Sequence, residues 1–277
     1  MGPLVGSIVA ACLERHVGCR GLAAGKTPIP CDFCAPITTP AIQHISKMKV
    51  LSLALVGLCG YAGSALAACP ATPDAWTAVS AFQGSAAVAN GGYAGTECRL
   101  DSTINVGAGG AASGQVNWTG SAVEPSYRAH FIVNVDTLTS QALLDTVAIY
   151  GSASQSSGSG VDFTVFGNGS VHNLGYSVRN DANPTGFETG VVPLAAGENH
   201  IEFSLATGSS TFKLWVNNHD ENNPTKSVAI NNGAAFTGID TTYMGLAGPA
   251  PQYVSHFGGK AVGFDQFDSR RQTFINY

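Results

Sequence analysis

Two carboxylates close enough in sequence to work as a pair are Asp265 and Asp268, in "DQFDS". Cleavage of a glycosidic bond needs two carboxyl groups flanking it, about 5–9 Å apart, one as acid and one as base or nucleophile. Three residues apart on a strand, these two point to opposite faces. Beside Arg270 and Arg271 they read as ion-paired edge residues. The histidines beyond residue 67 (His130, His172, His200, His219 and His256) are scattered, with no pair at metal-ligand spacing. No G-x-S-x-G elbow marks a nucleophilic serine, although the members of a Ser-His-Asp site need not be close in sequence. With no catalytic set visible, the expectation leans away from an enzyme.

Binding has better candidates. Sugars offer apolar C–H faces that stack on aromatic rings, and hydroxyls that pair with Asn, Asp, Arg and backbone groups. In "STFKLWVNN", Trp215 shares a face with Lys213, opposite Phe212, Leu214 and Val216. In "SYRAHFIVNVDTL", Arg128, His130 and Asn134 lie opposite Tyr127, Ala129, Phe131 and Val133. If both strands share one concave sheet, these residues form a groove with one stacking platform. Alternatively a loop or second apolar layer covers Trp215, since tryptophan is highly buried on average. Trp76 and Trp118 read as packing residues. The loop "NNHDENNPT" sets Asp220 and Glu221 among asparagines, the oxygen ligands that calcium prefers. It lacks the Asp-x-Asp-x-Asp-Gly spacing, and a solvated hairpin connection explains the same residues. No other cofactor is indicated.

The elements that must hold these residues alternate with period two, and no long segment shows a helical period. "NHIEFSLATG" sets Ile201, Phe203 and Leu205 against Glu202 and Ser204. About a dozen short strand-like runs are separated by turn signals such as "GNGS", "NDANPTG", "AAGEN" and "ATGSS". Strands at this spacing without intervening helices predict a sandwich or barrel. "GAGGAASG" and "GSASQSSGSG" read as loops inside the domain.

The stretch "KMKVLSLALVGLCGYAGSALAACP" has the parts of a secretory signal: Lys47 and Lys49, an apolar core from Val50 to Leu58, and Ala65-Leu66-Ala67 as a cleavage site. A spanning helix needs about 20 apolar residues, and glycines break this run. Translation from Met48 would make residues 48–67 the signal peptide and 1–47 a non-native or discarded extension. Cys12, Cys19, Cys31 and Cys34 in that extension do not make a paired zinc motif. The remaining 68–277 read as a single β-sandwich domain. The first 67 residues hold five Lys/Arg and two Asp/Glu, so of the net −5 the remainder carries −8. That argues against nucleic acid and anionic membrane surfaces as partners. Of the seven cysteines only Cys69 and Cys98 remain after cleavage. A disulfide between them closes a loop of about 30 residues, a stabilisation of roughly 3–4 kcal/mol in the chain-entropy view. Leu66-Ala67-Ala68-Cys69 also resembles a lipobox, which would anchor the chain at Cys69 and leave Cys98 unpaired. The expected location is periplasmic or secreted.

The succession "YRAHFIVNVDTL", "DTVAIYGS", "VPLAAGENHIEFSLATGSSTFKLWVNN" and "GFDQFDSRRQTFI" resembles exported bacterial domains of the concanavalin A-like, laminin-G-like superfamily. The resemblance spans roughly residues 126–277 and implies an all-β jelly roll of two antiparallel sheets. It leaves the ligand open. The leading expectation is a non-catalytic domain binding a polysaccharide, surface glycan or other envelope polymer. A structural or adhesive envelope protein making protein contacts is the alternative. A glycoside hydrolase or lyase with an unrecognised site is the third. The oligomeric state is not legible.

Overall fold

The computed structural model describes residues 69–70, 73, 76–138, 145–168, 171–232, 236–270 and 273–275. The expected extension over 1–47 and signal peptide over 48–67 lie outside the described residues. The chain runs through β1 (Ala78–Phe82), β2 (Gly84–Asn90), β3 (Cys98–Ile104), β4 (Ser113–Glu124) and β5 (Ser126–Asn134). It continues as β6 (Val147–Ser154), β7 (Gly158–Asn168), β8 (Val171–Arg179), β9 (Phe187–Pro193) and β10 (Glu198–Ala206). Last come β11 (Thr211–Val216), β12 (Lys226–Ala229), β13 (Ile239–Ala247), the short helix α1 (Pro251–Phe257) and β14 (Ala261–Arg270).

Two antiparallel seven-stranded sheets result. The first is ordered β1-β4-β13-β6-β7-β8-β9, the second β12-β11-β10-β5-β14-β3-β2. Of the sandwich or barrel expected from the alternation the fold is the sandwich, the all-β jelly roll that the resemblance implied. β6 to β9 form a meander in one sheet, β10 to β12 a meander and β2–β3 a hairpin in the other, while the remaining connections cross between sheets. The first crossing is abrupt: Gln83 alone, in the left-handed region at φ 51°, carries the chain from β1 to β2. A Cβ on the next residue, Gly84, would lie 2.6 Å from the carbonyl oxygens of Thr103 and Ser113, so only glycine fits there.

The apolar sides of the alternating strands meet between the sheets. Phe131 and Phe203 from the second sheet interlock with Tyr150 and Phe163 from the first. The ring centroids are 5.0 Å apart for Phe131–Tyr150 and 5.4 Å for both Tyr150–Phe203 and Phe163–Phe203. Such pairs add about 0.5–1.5 kcal/mol each beyond the area they bury. α1 closes one side by burying Tyr253, Val254 and Phe257. Cys69 and Cys98 form the expected disulfide, tying the chain before β1 to the start of β3.

One expectation about β14 is corrected. Asp265 faces Ile132 and Asp268 faces His130, so three steps on β14 match two on β5. The bulge, with Gln266 at φ 48°, turns both carboxylates to the same face. Asp268 pairs with Arg270 at 2.7 Å, as expected. Asp265 instead accepts the Tyr93 backbone N–H (2.6 Å) and the Thr96 hydroxyl, bracing the turn between β2 and β3.

Candidate functional site

The outer face of the second sheet holds most of the side chains picked out by alternation. Register places Trp215, Glu202, His130 and Asp268 in one row across β11, β10, β5 and β14. The next row is Lys213, Ser204, Arg128 and Arg270. Arg128 lies 4.9 Å from the Trp215 ring and its Nη1 donates to Glu221 Oε1 at 2.9 Å. Its Nε is 3.7 Å from Glu202 Oε1. His130 Nδ1 meets the Gln266 carbonyl oxygen at 3.2 Å, and its Nε2 meets His200 Nδ1 at 3.3 Å.

This face is covered, which corrects the open groove expected there. Trp215, Glu202, His130 and Arg128 are all buried. Phe274 lies 5.3 Å from the Trp215 ring and 5.1 Å from the Arg128 guanidinium. The Ile275 backbone N–H donates to Glu202 Oε1 at 2.9 Å. From the other side, the connection between β11 and β12 folds back, and Trp215 Nε1 donates to the Asp220 carbonyl at 2.9 Å. Lys213 remains exposed. Asn134 stands at the end of β5, where its Oδ1 accepts the Asp136 N–H. Of the two acidic residues suited to calcium, Glu221 is engaged by Arg128, and the Asp220 carboxylate accepts the Asn222 N–H. Among the described residues no group of three or more His, Cys, Asp or Glu side chains is gathered so as to hold a metal ion.

An open concavity lies on the other sheet. A pocket of about 330 Å³ is lined by Asn117, Thr119, Thr241, Tyr243, Gly151, Ala153, Ser159 and Asp162, with Trp118, Ser152 and Thr242 on the intervening positions. Its volume is at the low end of small-ligand sites, about 300–1,000 Å³. Register explains why these residues converge. Asn117, Tyr243, Gly151 and Asp162 are mutual partners across β4, β13, β6 and β7, a straight row of about 14 Å at ~4.8 Å per strand. Thr119, Thr241, Ala153 and Ser159 make the adjacent row. A register shift in the β6–β7 pairing puts Ser159 and Asp162 on one face despite their odd spacing, and the Ser159 hydroxyl donates to Asp162.

Gly151 shapes the floor. A Cβ there would collide with both the Tyr243 ring and the Asp162 carboxylate. Its absence lets the tyrosine lie down across the strand beside the carboxylate. On the far side, Gln115 Nε2 donates to Asn117 Oδ1 (2.9 Å), and Asn117 Nδ2 donates to Ser80 Oγ (2.8 Å). Burial raises the Asp162 carboxyl above its ordinary range, with the Ser159 hydrogen bond opposing. Burial, and then the Asp162 charge, raise the Tyr243 phenol. The pocket thus offers a neutral aromatic ring, amide and hydroxyl groups, and one carboxylate. Sequence reading passed over Tyr243 and Asp162. Their signal was the alternation in "YMGLAG" and "VDFTVFG", which turns each away from the core.

No family model matches the chain, and no curated protein sequence matches it. Among solved structures, the chain is similar to an endo-beta-1,4-glucuronan lyase from the fungus Trichoderma reesei. Identity is 15% and the TM-score 0.53, over 74% of this chain and 94% of that one. Lower likenesses are to a cellulose-induced protein (14% identity, TM-score 0.45, 71% and 91% covered) and an alginate lyase from Pseudomonas aeruginosa (11%, 0.42, 63% and 82%). What the chain has in common with the glucuronan lyase is the β-sandwich fold.

Proposed function

We propose that the protein is an exported carbohydrate-binding domain, and that the pocket on the first sheet is its glycan site. The observation that carries this is the row Asn117–Tyr243–Gly151–Asp162, where an aromatic ring lies across a glycine with hydrogen-bonding groups at both ends. A sugar unit needs this combination: a flat apolar surface for its C–H face and flanking acceptors and donors for its hydroxyls. The fold supports the reading as a scaffold that a protein named for polysaccharide cleavage also uses. Binding is favoured over catalysis because burial keeps the Tyr243 phenol protonated at neutral pH, so that it has no basic form ready to take a proton, and among the described residues no cation lines the pocket to stabilise a developing negative charge.

The test is retardation of the 68–277 chain in native gels cast with a panel of polysaccharides. Retardation by at least one polymer is expected. Tyr243→Ala should weaken it tenfold or more, about 1.4 kcal/mol, with the melting temperature little changed. Retardation undiminished in Tyr243→Ala and Asn117→Ala would move the site elsewhere.

Export is supported by the disulfide, which forms in oxidising compartments. It also occupies the Cys69 thiol that lipidation would need. Among the described residues no helix is long and apolar enough to cross a membrane. Intact mass should show a product beginning at Ala68 and two mass units lighter than its reduced form; a diacylglyceryl mass on Cys69 would overturn this. A second reading, a structural role through protein contacts, is favoured by Val79 and Phe82 on edge strand β1 and Val191 on edge strand β9, all exposed. Concentration-dependent association in light scattering, without retardation by any polysaccharide, would select it.

A further inference from the structure

The charge of the pocket says which sugars it can take. Among the described residues no Lys, Arg or His lines it, and the ionisable side chains there are the Asp162 carboxylate and the Tyr243 phenol. One position along β4 on the same face, the Gln115 amide donates to Asn117 while its own Oε1 is buried with no hydrogen-bond partner among the described residues. The lining therefore offers, among the described residues, a carboxylate, amide and hydroxyl groups and no cationic donor. Among the described residues the Ser159 hydroxyl is the one side chain that donates to the Asp162 carboxylate, and a carboxylate so placed gains more from a cation than from a neutral hydroxyl. The ring beside it can face the same cation.

Resting on the glycan-binding reading above, we propose that the unit bound carries an ammonium group. The ligand is a glycan with free amino sugars, its amine seated between the Asp162 carboxylate and the Tyr243 ring. A uronic-acid glycan would bring a carboxylate against Asp162 with no cation to offset it, and is rejected. An N-acetylated or unsubstituted glycan binds more weakly, through stacking and hydroxyl hydrogen bonds without the ammonium–carboxylate pair.

Calorimetric titration of the 68–277 chain with four oligosaccharide series tests this: β-1,4-linked glucosamine, N-acetylglucosamine, glucose and glucuronic acid, matched in length. The glucosamine series should bind at least tenfold tighter than the glucose series, with the glucuronic acid series undetectable. This comparison needs no variant. Asp162→Asn should then remove the tenfold preference, bringing the affinity for the glucosamine series down to that for the glucose series. Asp136→Asn, an equal charge change on an exposed loop residue outside the pocket lining, should leave the preference intact. Equal losses in both variants would mean diffuse attraction between an acidic protein and a polycation, and would overturn the assignment. So would glucose or glucuronic acid oligomers binding as tightly as glucosamine oligomers, though glycan binding itself would stand. Silence in all four series would remove both.

Discussion

Replacing Trp215 with alanine is expected to destabilise the fold by about 3–5 kcal/mol, the range for truncating a buried large aromatic side chain. The side chain is among the largest that are fully buried, yet it lies outside the main core, on the outer face of the second sheet. There the ring forms a second small core with Phe274 above it and the Arg128 guanidinium packed against both. Truncation would remove the contacts of both partners and strand an acceptor: the Asp220 carbonyl loses the indole N–H. It would also loosen the layer that keeps water from Arg128 and Glu202. Urea unfolding of the 68–277 chain measures the effect. Phe274→Ala should cost less, because Phe274 is only partly buried. A loss below about 1 kcal/mol in Trp215→Ala, as for an ordinary surface change, would mean that the cover lifts in solution and that this face, too, is available to ligands.

That layer shows where sequence reading stops. Alternation in β5 sorted Tyr127, Ala129, Phe131 and Val133 from Arg128, His130 and Asn134 correctly, because period two follows from strand geometry. It could not say whether the polar side was wet. Arg128 is covered by segments near 220 and 274 and His130 meets His200 and the Gln266 carbonyl, all far along the chain, and nothing in a strand's own pattern encodes a distant cover. The face assignment failed at Asp265 and Asp268 for a different reason: one bulge residue inverts parity, and Gln266 is not a residue type that announces a positive φ. The pocket residues were each legible as outward-facing. Their convergence was not, since Asn117, Tyr243, Gly151 and Asp162 come from four strands and meet only through inter-strand register. Gly151 carried the least signal, because its role is to leave room for a side chain that arrives from β13.

Acid should unfold this protein sooner than its carboxylates alone would require. His130 is held down to about 4, first by burial and then by the neighbouring His200, with His219 adding to the effect. The Gln266 carbonyl and Asp268 oppose it. Because a carbonyl can only accept, Nδ1 carries the proton of neutral His130, and Nε2 is bare to accept from His200. A second proton would have to displace that bond inside a closed layer. In the unfolded chain the same side chain titrates near 6.5. Above pH ~6.5 both states are neutral and the contribution is whole. As pH falls from there towards 4, the unfolded state takes a proton that the folded state refuses, and stability drops by about 3 kcal/mol. His200 and His172, both lowered chiefly by burial, add to the loss with the same sign. The check is a pair of stability-versus-pH curves from urea unfolding, for the unaltered chain and for His130→Gln. Glutamine keeps a donor for the Gln266 carbonyl but cannot titrate. Its curve should be flatter between pH 4 and 6.5 by roughly one proton's slope, about 1.4 kcal/mol per pH unit at most. Parallel curves would show that His130 meets solvent in the folded protein, and that the cover over Arg128, Glu202 and Trp215 opens as a unit.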